Sequence, residues 1–289
     1  KSRGVRGQLL VPLGGDSEWL LRADWSRQSG AIGGYPQLLR PTLNPVDNAI
    51  LGDFGKTSMD GRNHSVFENY GVASDLTIGL GENLKLRSLT AWRRFRGSIE
   101  TDADSSATPL LRNLIAPIRQ RQISQELNLI GSFDRLNFVA GAYYFDERNR
   151  EPLTLAIYPF GVSRIQRPLI EARSFALFGQ AEYKLSDQFS LVAGLRWTTE
   201  RKRYTITDYF VASTDLDPDV AAGGFKLVGV PGLHDPFTLA TSRKDHALTP
   251  KFGVNFKPND DVLVYLSATR GFKSGGYDYG SNTLEDAAA

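Results

Sequence analysis

Three histidines, a run of spaced aspartates and one glycine-rich turn are the residues here with types and spacing suited to chemistry. His64, His234 and His246 lie far apart in sequence, in connecting segments or at strand starts, so exposed loop histidines are a simpler reading than a shared metal site. Asp215, Asp217 and Asp219 have the DxDxD spacing of a calcium loop. Such a loop requires Gly at its sixth position and Glu at its twelfth; Val220 and Lys226 stand there, which favours a solvated acidic segment. GLGENL at Gly79–Leu84 opens like a dinucleotide fingerprint but has Leu84 at the third glycine position. It sits at a tight turn with no helix after it, so it reads as a hairpin. HExxH, GxSxG and P-loop motifs are absent, and zero Cys removes thiolate ligands, disulfides and cysteine nucleophiles together. No enzyme activity, metal or cofactor is expected. Lys and Arg total 34 against 32 Asp and Glu, a net charge of +2 with interspersed signs, so no nucleic-acid partner is expected.

The elements that must position any site are strands. No apolar run approaches the ~18 residues of a membrane helix, but alternating strands of a membrane barrel escape that test. In SFALFGQAEYKL, Phe175, Leu177, Ala181, Tyr183 and Leu185 take one face and Gln180, Glu182 and Lys184 the other. After a Ser186–Gln188 turn, Phe189, Leu191, Ala193, Leu195 and Trp197 alternate with Ser190, Arg196, Thr198 and Glu200. A period of two with one apolar and one polar face is a strand signature. The pattern recurs through Val5–Trp25, Tyr70–Trp92, Ile123–Glu147 and Leu248–Phe272, giving about ten strands in five hairpins with short turns. LNFVAGAYYFDE is apolar on both faces, so its facing stays open. The links Ser29–His64, Asp102–Arg121, Asn149–Arg173 and Ile206–Asp245 read as long and irregular, rich in Pro, Gly, Asp and Ser. Short turns at one end and long links at the other are the asymmetry of an outer-membrane barrel. Trp19, Phe133 and Phe189 near the short turns, and Trp25, Trp92 and Trp197 further along, suit two interfacial belts. The competing architecture is a soluble β-sandwich binding module.

RGQLLV (Arg6–Val11), NLKLRSLTAWR (Asn83–Arg93), QISQELNLIG (Gln122–Gly131) and LNFVAGAYYFDE (Leu136–Glu147) carry a resemblance. SFALFGQAEYKLSDQFSLVAGLRWTTERK (Ser174–Lys202) and TPKFGVNFKPNDDVLVYLSATRGFKSGGYD (Thr249–Asp278) carry it most specifically. Together they resemble the central barrel of TonB-dependent outer-membrane receptors of the sphingomonad type. The resemblance implies an all-β fold: a transmembrane antiparallel up-and-down β-barrel, present in part, about ten strands of about 22. Residues 1–289 are then expected to be a fragment of that barrel domain, without plug, TonB box or C-terminal strands, and unstable alone in water.

The function implied is TonB-energised uptake of a scarce nutrient, such as a ferric siderophore, across the outer membrane of a Gram-negative bacterium. The partners implied are outer-membrane lipid, the plug and remaining strands, the TonB–ExbB–ExbD complex and a small-molecule substrate. A passive porin-like barrel is the alternative. Alternation places Arg22, Arg87, Glu182, Arg196 and Lys251 on the lumen side, where they solvate the lumen or hold the plug. By position Arg93, Arg94, Arg96, Arg148, Arg150, Arg201 and Arg203 lie near the outer rim. Of these, Arg93, Arg96, Arg148, Arg150, Arg201 and Arg203 are the candidate ligand contacts, since guanidinium forks suit carboxylate or catecholate ligands. Rim arginines serve equally for lipopolysaccharide phosphates.

Overall fold

A computed structural model describes residues 1–32, 45–50, 52–53, 56–216 and 235–277. Its elements are β1 (Ser2–Gly14), β2 (Ser17–Ala31), the one-turn helix α1 (Pro45–Asn48), β3 (His64–Gly79), β4 (Leu84–Asp102), β5 (Leu111–Ser132) and β6 (Leu136–Arg150). They continue with β7 (Leu153–Ile157), β8 (Val162–Lys184), β9 (Phe189–Val211), β10 (Phe237–Asn259) and β11 (Val262–Thr269). Each main strand pairs antiparallel with its chain neighbour in one sheet running from β1 to β11, an up-and-down order with no crossover. β7 continues the line of β6 between β5 and β8, after a break at Glu151 and Pro152. Among the described residues, no helix is long and apolar enough to cross a membrane.

The five short turns lie where alternation placed them. Three of the four links do not. The link after Asp102 is regular again at Leu111, β9 runs on to Val211, and β10 begins at Phe237. Asn149–Arg173 is almost wholly strand, closed by a single 3-10 turn at Tyr158–Phe160. Gly161 ends that turn at φ 63°, a left-handed conformation that a Cβ disfavours. The reason is physical. Where both faces of a strand meet polar surroundings, the apolar/polar alternation fades while backbone pairing continues. Pro117 and Pro168 lie inside strands rather than ending them, Pro117 beside the register shift between β4 and β5.

From the short turns up to Trp92 and Trp197 the sheet is one layer among the described residues. Leu9, Trp92, Leu177, Leu195, Trp197 and Leu248 share a face and stand 38–58% exposed. A sandwich would bury that face against a second sheet. Most of the buried apolar residues, among them Ala156, Val162, Ile165, Ile206, Phe210 and Val211, lie instead in the upper extensions of β7, β8 and β9. Stacked Phe189 and Phe256 (4.5 Å) mark the lower edge of the apolar band, and Phe175 edge-on to Trp197 (6.2 Å) its upper edge.

Candidate functional site

The polar face is the candidate working surface, and the register decides its contacts. Asp75 on β3 lies between Arg22 on β2 and Arg87 on β4. Arg87 donates from Nε to Oδ1 at 2.7 Å and from Nη2 to Oδ2 at 2.6 Å, a bidentate fork. Arg22 Nη2 stands 3.8 Å from the same carboxylate. The Asp75 side chain is 9% exposed against 42% for Arg87, so the pair closes onto the sheet. Higher on the same strands Arg93 Nη2 meets Asp24 Oδ2 at 2.9 Å. Gly71 makes room for that pair: a Cβ there would lie 2.6 Å from Asp24 Oδ1.

The other half of the face is built on β8, β9 and β10. Glu182 accepts from the Ser190 hydroxyl and from Asn255 Nδ2, the latter at 2.9 Å. Lys251 Nζ donates to Gln180 Oε1 at 3.0 Å. Arg196 Nε donates to Thr198 Oγ1 at 3.1 Å, and its guanidinium lies over Phe178 at 5.4 Å and Tyr143 at 5.7 Å. Further up, Lys202 Nζ bridges Glu200, Ser274 Oγ and Gly275 O at 2.9, 2.8 and 2.8 Å, and Tyr277 stacks on Tyr204 at 5.4 Å. The Arg270–Gly276 segment therefore turns in over the polar face. In the upper wall, Arg164 grips fully buried Asp208 through Nε and Nη2, and Gln166 Nε2 adds a third bond at 2.9 Å.

Arg22, Arg87, Glu182, Arg196 and Lys251 all lie on the polar face. The rim arginines divide. Arg93 shares that face, whereas Arg96, Arg148, Arg150, Arg201 and Arg203 stand in register with residues of the apolar face: Arg96 opposite Arg119, Arg148 opposite Arg121 and Arg201 opposite Arg173. They lie on the opposite face from Arg93 and do not converge with it on one site. The parity was readable, since Arg94 and Arg96 follow Trp92 by two and four residues. The sharing of Asp75 by two arginines, the aromatic seat of Arg196 and the inward return of Ser274 had no local signal, because each depends on pairing between strands.

His64 accepts or donates a bond with Ser29 at the start of β3, and His246 lies on β10. Asp217, Asp219, Val220, Lys226 and His234 lie outside the described residues. Among the described residues no group of three or more potential ligands gathers around a metal position. Gly79–Leu84 forms the β3–β4 turn.

Comparison with known proteins follows the same lines. The family model described as TonB dependent receptor-like, beta-barrel, matches residues 12–288. The structure is similar to the ferric yersiniabactin uptake receptor FyuA from Yersinia pestis, with TM-score 0.69 and 15% identity, covering 96% of this chain and 39% of that one. It is similar to the open form of the ferric-catecholate import receptor Fiu from E. coli K12, with TM-score 0.63, 14% identity and coverage of 93% and 46%. The siderophore receptor PiuA from Acinetobacter baumannii matches at TM-score 0.60, 13% identity and coverage of 92% and 41%. The chain thus spans less than half the length of these solved structures. At such identities they attest the fold alone. A polar, ion-paired inner face, an apolar outer face and a family match over nearly the whole chain agree: the chain belongs to the TonB-dependent receptor β-barrel family.

Proposed function

We propose that this chain forms about half of the barrel wall of an outer-membrane receptor that takes up a small anionic chelate, of the ferric siderophore class, at the expense of TonB-transmitted energy. The observation that carries this reading is the family match over residues 12–288, borne by a wall whose inner face is lined with fixed charges. The three solved relatives named above are described as uptake, import or siderophore receptors, which supports the substrate class. Residues 1–289 serve as a barrel fragment that requires its remaining strands and plug. The Asp75–Arg22–Arg87 cluster, Glu182 and Lys251 lie toward the short-turn side and face the plug. Arg93 and Arg196 lie higher and line the substrate path, where a guanidinium stacked on aromatic rings keeps its fork available to an anion.

The test is uptake by the full-length parent gene in an iron-limited host lacking its own siderophore receptors. Radiolabelled ferric catecholate and ferric phenolate chelates serve as probes, each in tonB-positive and tonB-deleted strains. Accumulation that disappears with tonB supports the receptor reading. Entry unaffected by tonB deletion is passive flux and supports a porin instead.

A further inference from the structure

We propose that residues Arg270–Tyr277 form a strap, seated on the polar face of β9 and β10, that narrows the substrate path, and that Gly275 is the residue its seat requires. The narrowing rests on the reading of that face, given above, as the lining of such a path. The sequence explains why the chain leaves the sheet here. β11 pairs with β10 as far as Lys251 opposite Thr269. The next rung would join Pro250 to Arg270. Arg270 N donates to Pro250 O at 3.1 Å. Pro250 has no N–H to return, and a hydrogen-bonded antiparallel pair exchanges both bonds. β10 itself continues beside β9 up to Phe237, while β11 ends at Thr269.

The departing chain turns inward and is fastened there. Register sets Lys202 opposite Arg243 and Glu200 opposite Asp245, all on the polar face. Ser274 Oγ donates to Glu200 Oε1 at 2.6 Å and accepts from Lys202 Nζ at 2.8 Å. Lys202 Nζ gives a further bond to Gly275 O at 2.8 Å. Asp245 accepts from the Gly275 N–H, and its two oxygens hold Arg243 Nε and Nη2 at 2.9 and 2.8 Å. At the far end Tyr277 stacks on fully buried Tyr204, the rings 17° from parallel. Bonds from two strands and one stack thus fix the segment at both its middle and its end, and charge-assisted bonds are the stronger kind.

Gly275 sets how closely the strap lies. A Cβ there would stand 2.2 Å from Arg243 Cζ and Nη1, whereas a Cβ at Gly276 would meet nothing within 4 Å. Neither glycine has a positive φ, so the contrast between them is steric. Arg243 cannot swing aside without leaving the Asp245 fork. A side chain at position 275 must therefore break that fork or lift the strap. With the strap down, Glu200, Lys202 and Asp245 spend their hydrogen bonds on the chain's own backbone and on Ser274 rather than on a ligand. What the strap leaves exposed are Phe272 and Lys273.

The test uses the full-length receptor in the outer membrane of intact cells, with single introduced cysteines and a membrane-impermeant maleimide as probe. Ser274→Cys reports the seated side of the strap and Lys273→Cys its exposed side. S274C should react about tenfold or more slowly than K273C, the protection expected of a fastened segment. Adding G275V should bring S274C close to the K273C rate, whereas adding G276A should leave it protected. K202M removes two bonds of the catch without adding bulk and should raise the S274C rate several-fold. Narrowing is read at Ala247→Cys, on the same face of β10 two residues from Asp245 toward the short turn. A bulky polyethylene-glycol maleimide should label A247C faster when G275V is added. Equal rates for S274C and K273C in the otherwise unaltered strap would overturn the seat. A protected S274C with A247C labelling unchanged by G275V would overturn the narrowing. Neither readout depends on tonB, so failure of the strap is distinguishable from failure of the uptake reading.

Discussion

Arg93 and Arg94 are neighbours in sequence and opposites in setting. Arg93 points to the inner face and meets Asp24 at 2.9 Å. Arg94 points outward into a pocket it shares with Arg119, Arg121, Arg148 and Arg150, with no acid of its own. The same contrast separates the two faces as a whole. Inside, charges are answered by the protein, as Asp75 is by Arg22 and Arg87. Outside, above the aromatic belt, Asp146 answers Arg173 at 2.6 Å, but across β4, β5 and β6 arginines face arginines. A barrel wall has two solvents, and its charges are placed for whichever one they meet.

The sharpest way to break this contrast is to put a charge on the wrong face. Leu195→Arg, at mid-height on the outer face, should destabilise the folded full-length barrel by about 2–4 kcal/mol. Val192→Arg, three residues away and facing inward beside Glu182, should stay within about 0.5 kcal/mol of the parent. Urea titration of the barrel in lipid vesicles measures both; equal effects would remove the distinction between the faces. Next in size, Asp75→Ala leaves two guanidiniums without their acceptor and should cost about 1–3 kcal/mol in the same titration. Arg93→Ala breaks a half-exposed pair and should cost about 0.2–1 kcal/mol. The smallest effect carries the opposite sign. Arg121→Ala in neutral detergent should raise stability by up to about 0.5 kcal/mol, because it relieves repulsion across two strand pairs. A loss of stability there would contradict the contrast.

Much of this was legible in the sequence where one solvent lay on each side. Phe175–Leu185 and Phe189–Trp197 alternate cleanly because lipid lies against one face and water against the other, and their register follows from a short turn. Legibility failed where the surroundings changed. Arg164, Gln166 and Asp208 continue strands in the upper wall, but polar residues on both faces hide the period. Leu136–Glu147 resisted facing for the reverse reason: Tyr143 supports Arg196 inside while Tyr144 joins the belt outside, so both faces carry rings. The outward arginines of β4, β5 and β6 lay between these cases, with Arg94, Arg121 and Arg148 in one rung and Arg96, Arg119 and Arg150 in the next. Each arginine was visible and its parity countable from Trp92, but the opposition of six of them required three strands in register.

The central claim is that odd-numbered residues of β9 meet lipid and even-numbered residues meet the water of the lumen. The chain contains no cysteine, so single cysteines can be introduced without background from it. The most direct measurement is spin-label accessibility at each position from Leu191 to Glu200 in the full-length receptor reconstituted in bilayers. Collision with oxygen should peak at Leu191, Ala193, Leu195 and Trp197, and collision with a water-soluble nickel chelate at Val192, Gly194, Arg196 and Thr198. A flat profile, or nickel accessibility at Leu195 and Trp197 with oxygen at Arg196, would contradict the assignment of the two faces.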